Sequence, residues 1–209
     1  GIMKKLMNEV LRVDILKPSL VLFTKCCIFC FLIFSIFISS SVVFAADIYV
    51  GPDDNIQDAI NASSDGDTVS VADGTYNENI IFPPDADNKT ISLISENGAE
   101  LSVIDGTGKS GSVVTFPENS NSTLDGFTIT NGSTLGYGGG VLCGSSSSPT
   151  IANCIITDNE ALAGGGIHCA SSSAPNITNS IIQNNSVTGV NDQSNGGGIH
   201  ASPAASPTI

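Results

Sequence analysis

The chain has 209 residues, 41% of them hydrophobic, 6% aromatic and none Trp, so it can bury a core, but an aliphatic one. Its 22 glycines, with abundant Ser, Thr and Asn, suit tight turns and short strands better than long helices. From Asp47 onward, 18 acidic residues stand against Lys89 and Lys109 alone, a formal charge of −16, which argues against nucleic acid as a partner because phosphate is held by Lys and Arg.

Residues 1–46 read as an export segment. Lys4, Lys5, Arg12, Lys17 and Lys25 precede Cys26–Phe44, a charge-free run of 19 residues rich in Phe and Ile. Val43-Phe44-Ala45 then offers small residues for signal cleavage after Ala45 or Ala46. The run is also long enough to span a bilayer, so a signal peptide and a retained N-terminal membrane anchor both stay open. Either assigns the remainder to the extracellular space or the cell surface. Gly1-Ile2 precede Met3, which makes Met3 or Met7 the expected start. Cys26, Cys27 and Cys30 lie within the apolar run with no histidine near them, a poor metal pattern. Beyond it only Cys143, Cys154 and Cys169 remain, and an odd count is not a disulfide framework.

Asp54–Ile60 predicts a short helix. Acidic residues open it, and Ile56, Ala59 and Ile60 form one apolar face at i, i+3, i+4. Strand-like stretches follow at Val69–Val71, Ile91–Leu93 and Val113–Phe116, ahead of one at Val141. A second series reads Ile80, Val103, Phe127, Cys154, Ser180. The spacing of about 22 to 27 residues suggests coils of a parallel solenoid, about five to six of them. At roughly 4.8 Å per coil the stack would be about 25–29 Å tall. A solenoid has a raw edge at each end, and the short helix is the natural cap of the first coil.

The repeat is clearest downstream. Leu124–Thr150, Ile151–Asn176 and Ile177–Thr208 start 27 and 26 residues apart. Each reaches a triple glycine (138–140, 164–166, 196–198), then a short strand, Val141-Leu142-Cys143, Ile167-His168-Cys169 or Ile199-His200-Ala201, then a turn leading to Pro149, Pro175 or Pro207. Gly189–Asn195 reads as a loop inserted in the third segment. Alternation points Phe127/Cys154/Ser180 and Ile129/Ile156/Ile182 inward. The column Gly126/Asn153/Asn179 holds the residue types that accept positive φ, so a left-handed corner is expected there. The chain stops at Pro207-Thr208-Ile209, which aligns with Pro149-Thr150-Ile151 in mid-coil, so further coils are expected after residue 209.

Ile56-Gln57-Asp58-Ala59-Ile60, Gly66-Asp67-Thr68-Val69 and Gly74-Thr75-Tyr76-Asn77-Glu78 resemble the start of right-handed β-helix proteins of the pectin-lyase-like superfamily. The Gly-Gly-Gly-Ile and Ile-x-x-Asn elements (Ile156–Asn159, Ile182–Asn185) are similar to repeats of polymorphic outer-membrane proteins. The resemblance covers about residues 47–209. It implies an all-β, right-handed parallel β-helix and leaves function open between polysaccharide lyases, hydrolases, epimerases, adhesins and surface proteins. The calcium-dependent lyases that it brings in use a basic residue, typically arginine. No arginine follows Arg12, and neither Lys89 nor Lys109 matches a lyase motif, so those residues do not carry over.

Candidate chemistry is sparse. His168 and His200 hold the same place in successive coils and should face outward in one ladder with Leu142, as a metal pair, an acid–base site or a plain outer position. Cys143 and Cys169 form an inward column ending in Ala201, for packing or a strained disulfide. Asp105 and Asp125 occupy similar Asp-Gly settings and are the candidate catalytic carboxylates, although Asp-Gly is first a turn signal. No cofactor is identified, but turn carboxylates in so acidic a chain point to calcium, with Asp158 and Glu160 as candidate ligands. The Asn-x-Ser/Thr sequons at Asn88, Asn131 and Asn176 arise readily in an Asn-rich repeat. Two functions follow. One is a secreted or cell-surface β-helix that binds a polysaccharide or another surface component, or builds a surface structure. The other is a carbohydrate-active enzyme whose active site lies partly or wholly outside this segment. Poverty in Lys, Arg and aromatic residues favours the first. The membrane enters only through the N-terminal segment or a further C-terminal anchor.

Overall fold

The computed structural model describes residues 45–84, 89–188 and 196–209. The segment read as an export signal, apart from Ala45 and Ala46, with its three cysteines, Asn88 and the loop at 189–195, lies outside the described residues.

Short strands recur in a fixed order and stack as three parallel sheets. Sheet I has six strands: Asp47–Val50, Thr68–Val71, Ser92–Ser95, Thr123–Asp125, Thr150–Ala152 and Asn176–Thr178. Sheet II has five: Gly74–Tyr76, Ser102–Asp105, Thr128–Thr130, Ile155–Thr157 and Ile181–Gln183. Sheet III has five: Ile80–Ile81, Val114–Phe116, Val141–Cys143, Ile167–Cys169 and Ile199–Ala201. A short extra pair, Glu160–Ala161 and Ser186–Val187, bridges two later coils. The chain visits sheets I, II and III in turn, so each strand bonds to its counterpart one coil away.

The register makes the core. In sheet I, Ile48, Val69, Leu93, Leu124, Ile151 and Ile177 stack one on the next. Ile104, Ile129, Ile156 and Ile182 do so in sheet II. Sheet III contributes Val114, Val141, Ile167 and Ile199. Like stacks on like because period-2 alternation repeats in register, and no single coil could bury this surface alone. Phe82 and Phe116 lie face to face inside, ring centres 4.4 Å apart. At the C-terminal side Ile182 is half-buried and Ile181 exposed.

The helix forms over Ile56–Ala62, with Ile56 and Ile60 buried against the first coil. Asn55 is the N-cap and accepts from the Asp58 N–H at 2.8 Å. The more telling partner is Glu78, whose carboxylate accepts the N–H groups of Ile56 (2.9 Å) and Gln57 (3.1 Å). A carboxylate there satisfies two orphan donors and meets the positive end of the helix dipole, so the cap is tied to the second sheet's corner.

Three corners repeat. Gly126, Asn153 and Asn179 have φ of 81°, 52° and 49°, as their column required. A second corner holds Asn131, Asp158 and Asn184 at 59°, 58° and 54°. The third uses Asn119, Ser146, Ser172 and Ala204, of which only Asn119 is a type that gives warning of positive φ. The triple glycines have a different cause. The first of each is left-handed; crowding forces both of the others in the first two triplets and Gly197 in the last, whereas Gly198 has room for a Cβ. A Cβ on Gly139 would come within 2.6 Å of the Glu160 and Gly165 carbonyl oxygens, and one on Gly140 within 2.7 Å of the Gly166 carbonyl.

Upstream, the two strand series read from sequence need correcting. Val69 and Leu93 belong to sheet I, whereas Val114 and Val141 belong to sheet III. Ile80 pairs with Val114 in sheet III, and the buried counterpart of Phe127 is Ser102, one residue before the half-exposed Val103. The coil count drawn from those series therefore mixed two sheets, and the strand numbers of each sheet replace it. The error has a physical source: all three sheets bury the same aliphatic types, so hydrophobicity alone does not tell one face from another.

Candidate functional site

The outer face of sheet III carries a ladder of Thr115, Leu142, His168 and His200. Alternation puts them there, because Val141, Cys143, Ile167 and Cys169 on either side are fully buried. His168 points away from the core as its position predicts, yet it is only 4% exposed. The cover comes from two rings. Tyr137 stacks on it at 4.6 Å between ring centres, with planes 22° apart. His200 approaches on the other side, with centres 4.9 Å apart but Nδ1 atoms only 3.0 Å apart. The nitrogens being so much closer than the centres means that the rings meet through their Nδ1 edges. One donates and the other accepts.

This pair has a definite chemistry. Burial, and then the charge of His200, pushes the His168 pKa down to about 4. At neutral pH the ring is therefore uncharged. If His168 donates from Nδ1 to His200, its Nε2 is left as acceptor for the Ser202 hydroxyl, 3.4 Å away. That contact is at the outer limit of a hydrogen bond. A base so weak is poorly matched to proton abstraction near neutrality. The arrangement is better suited to holding a rigid aromatic shelf.

The loops beside the shelf gather three large exposed apolar side chains. Leu135 is 88% exposed, Tyr137 57% and Leu162 40%. The two turns that carry them are locked in register. Leu162 donates to the Gly136 carbonyl at 2.9 Å, Gly138 donates to the Ala163 carbonyl at 3.0 Å, and Tyr137 bridges to Ala163. Two leucines and a tyrosine thus lie on adjacent turns ahead of sheet III.

The candidate carboxylates serve turns instead of meeting one another. Asp105 ends a sheet II strand and Asp125 a sheet I strand. Asp105 accepts from the Thr107 N–H (2.9 Å), the Thr107 hydroxyl (2.7 Å) and Asn131 (2.9 Å). Burial works to raise its pKa, but those hydrogen bonds outweigh it and leave the carboxyl below its usual range. Asp125 accepts from Asn153 at 2.7 Å. Asp158 sits in the left-handed corner, bonded to the Thr157 hydroxyl at 2.8 Å, while Glu160 lies in the small extra sheet beside Ser186. Among the described residues, no three His, Cys, Asp or Glu side chains gather as a metal group.

Between Asp158 and Glu160 lies a residue that sequence reading passed over as a motif element. Asn159 is fully buried. It donates to the Ile129 carbonyl (3.0 Å), the Thr157 carbonyl (2.9 Å) and Asn185 Oδ1 (3.0 Å), and it accepts from the Gly132 N–H at 2.8 Å. Asn185 repeats the arrangement one coil on by donating to the Ile156 carbonyl at 2.8 Å. The Ile-x-x-Asn repeat was the available signal. Tyr137 and Glu78 had none, because each acts on a neighbouring coil.

Parallel strands stacked in register on three faces, joined by short corners, define a β-solenoid. Residues 45–208 match the family model described as right handed beta helix region, and the chain belongs to that family. No curated protein matches it.

Proposed function

We propose that this chain is an exported, surface-displayed β-helix that binds an uncharged glycan or a similar surface component and carries out no catalysis in this segment. The exposed patch of Leu135, Tyr137 and Leu162, backed by the buried His168 ring, is the observation that carries the reading. Sugar rings present flat C–H faces that pack on aromatic and aliphatic side chains. The net negative charge disfavours an anionic polymer. Enzymatic chemistry has less support, because the named carboxylates are committed to corner hydrogen bonds and His168 is a weak base.

The test is binding of the full chain to a panel of neutral and acidic polysaccharides, with product analysis of the same mixtures. Retention on a neutral glycan, reduced at least tenfold by Tyr137→Ala, is the expected result. Depolymerisation, or binding indifferent to Tyr137→Ala, would overturn it.

A further inference from the structure

We infer that Cys143 and Cys169 form a cross-linking site, in which an oxidant of the thiol–disulfide exchange class joins consecutive coils through a disulfide. The two residues are direct register partners in sheet III, and both are fully buried free thiols. Adjacent parallel strands set their Cα atoms roughly 4.8 Å apart, inside the usual disulfide range of about 4.4–6.8 Å. In their inward column the neighbours on either side are Phe116 and Ala201, so each sulfur has the other as its thiol partner there.

The two thiols are not equivalent. The hydrogen bond between them, with burial second, holds the Cys143 proton in place and raises its pKa. The same bond favours the Cys169 thiolate and lowers its pKa, against a smaller opposing effect of burial. Access separates them more plainly: Cys169 lies beside the strand Ile199–Ala201, whose Ala201 is exposed, so lifting that one strand uncovers it and makes it the sulfur an oxidant meets first. The Cys169 thiolate attacks a small disulfide such as oxidised glutathione and releases one glutathione thiolate. Cys143 then gives up its proton to solvent, and its thiolate attacks the Cys169 sulfur of the mixed disulfide, displacing the second glutathione. Two protein thiols and one disulfide become one protein disulfide and two small thiols. Cys154 takes no part: it lies at the sheet I–II corner, bonded to the Ala152 carbonyl at 3.1 Å, and burial pushes its thiol up to about 11.

The inference does not rest on export, because a redox buffer supplies the oxidant. The reduced, unfolded full chain is refolded in a glutathione redox buffer, quenched with an alkylating agent and digested without reduction. The expected product is a peptide pair linking Cys143 to Cys169, lighter than the sum of its thiol forms by two hydrogens, with Cys154 alkylated. Oxidised protein should also melt higher than reduced protein, and the difference should vanish in Cys169→Ala. That variant should still fold, since alanine already occupies the next position of the column. Alkylation of both Cys143 and Cys169 after refolding, pairing of either with another cysteine, or a melting difference that survives Cys169→Ala would each overturn the proposal.

Discussion

The two halves of the solenoid are stable for different reasons. The N-terminal coils are irregular in length but packed with bulk: Tyr76, Phe82, Phe116 and Phe127 are buried there, and a helix closes the end. The C-terminal coils repeat closely, and their core tapers. The column of Phe82 and Phe116 continues as Cys143, Cys169 and Ala201. What they lose in side-chain volume they recover through backbone fit, with triple glycines nested against the next coil and an asparagine ladder satisfying buried carbonyls. A solenoid contacts only its neighbours, so one chain can use both strategies at once. Variable turns are tolerated where bulky side chains fill the core, and regular turns are demanded where backbone meets backbone.

Paired substitutions can break or sharpen that comparison, with hydrogen exchange reporting which coils loosen. The largest loss is expected from Phe116→Ala, which removes a ring stacked on Phe82, at about 3–5 kcal/mol in chemical denaturation. Protection should fall first around Ile80–Phe82 and Val141–Cys143. Asn159→Ala should cost about 2–3 kcal/mol, because it strands the Gly132 N–H and the Ile129 carbonyl in a dry interior. Exchange should then rise in residues 129–132 and 156–160, with the helix unaffected. Gly165→Ala should cost about 1–3 kcal/mol by pushing a methyl into the Ser186 and Gly197 carbonyls of the next coil. If Gly165→Ala were neutral while Phe116→Ala was severe, backbone fit would not be what holds the C-terminal coils.

The remaining effect concerns pH. His168 has a folded pKa of about 4, below its ordinary value of 6.5, so the folded state binds fewer protons than the unfolded one between those values. Stability should therefore fall as pH drops from 6.5 toward 4, by about 2 kcal/mol after allowance for solvent screening. Asp105, whose carboxyl is held low, adds its own loss only as pH falls further toward its folded pKa. His168→Leu, which copies Leu142 in the ladder, should flatten the curve between pH 6.5 and 4 and leave the more acidic limb in place. An unchanged curve in that variant would show that the His168–His200 contact does not govern the acid response.

Much of the site's machinery was out of reach of the sequence, for identifiable reasons. The outward ladder of His168 and His200 was legible, because alternation and a fixed repeat define it. Its burial was not, because Tyr137 covers it from a loop 31 positions earlier in the chain. Asp158 was legible as an acidic turn residue, but not that it takes the place that Asn131 and Asn184 take in other coils, a left-handed corner. Glu78 read only as part of a resemblance and proved to cap a helix 21–22 residues before it.

By itself, then, the sequence determined the local periods of this protein: which residues alternate inward, where glycine or asparagine turns the chain, where a short amphipathic helix can form, and that similar coils must stack. Those properties rest on steric limits within a few residues and on a repeat that needs no outside information. Only the tertiary structure decided which sheet each upstream strand joins, why the second and third glycines of the first two triplets cannot carry a Cβ, and which side chains from one coil cover those of another. Such contacts depend on the spacing between coils, a distance that no stretch of sequence within one coil contains.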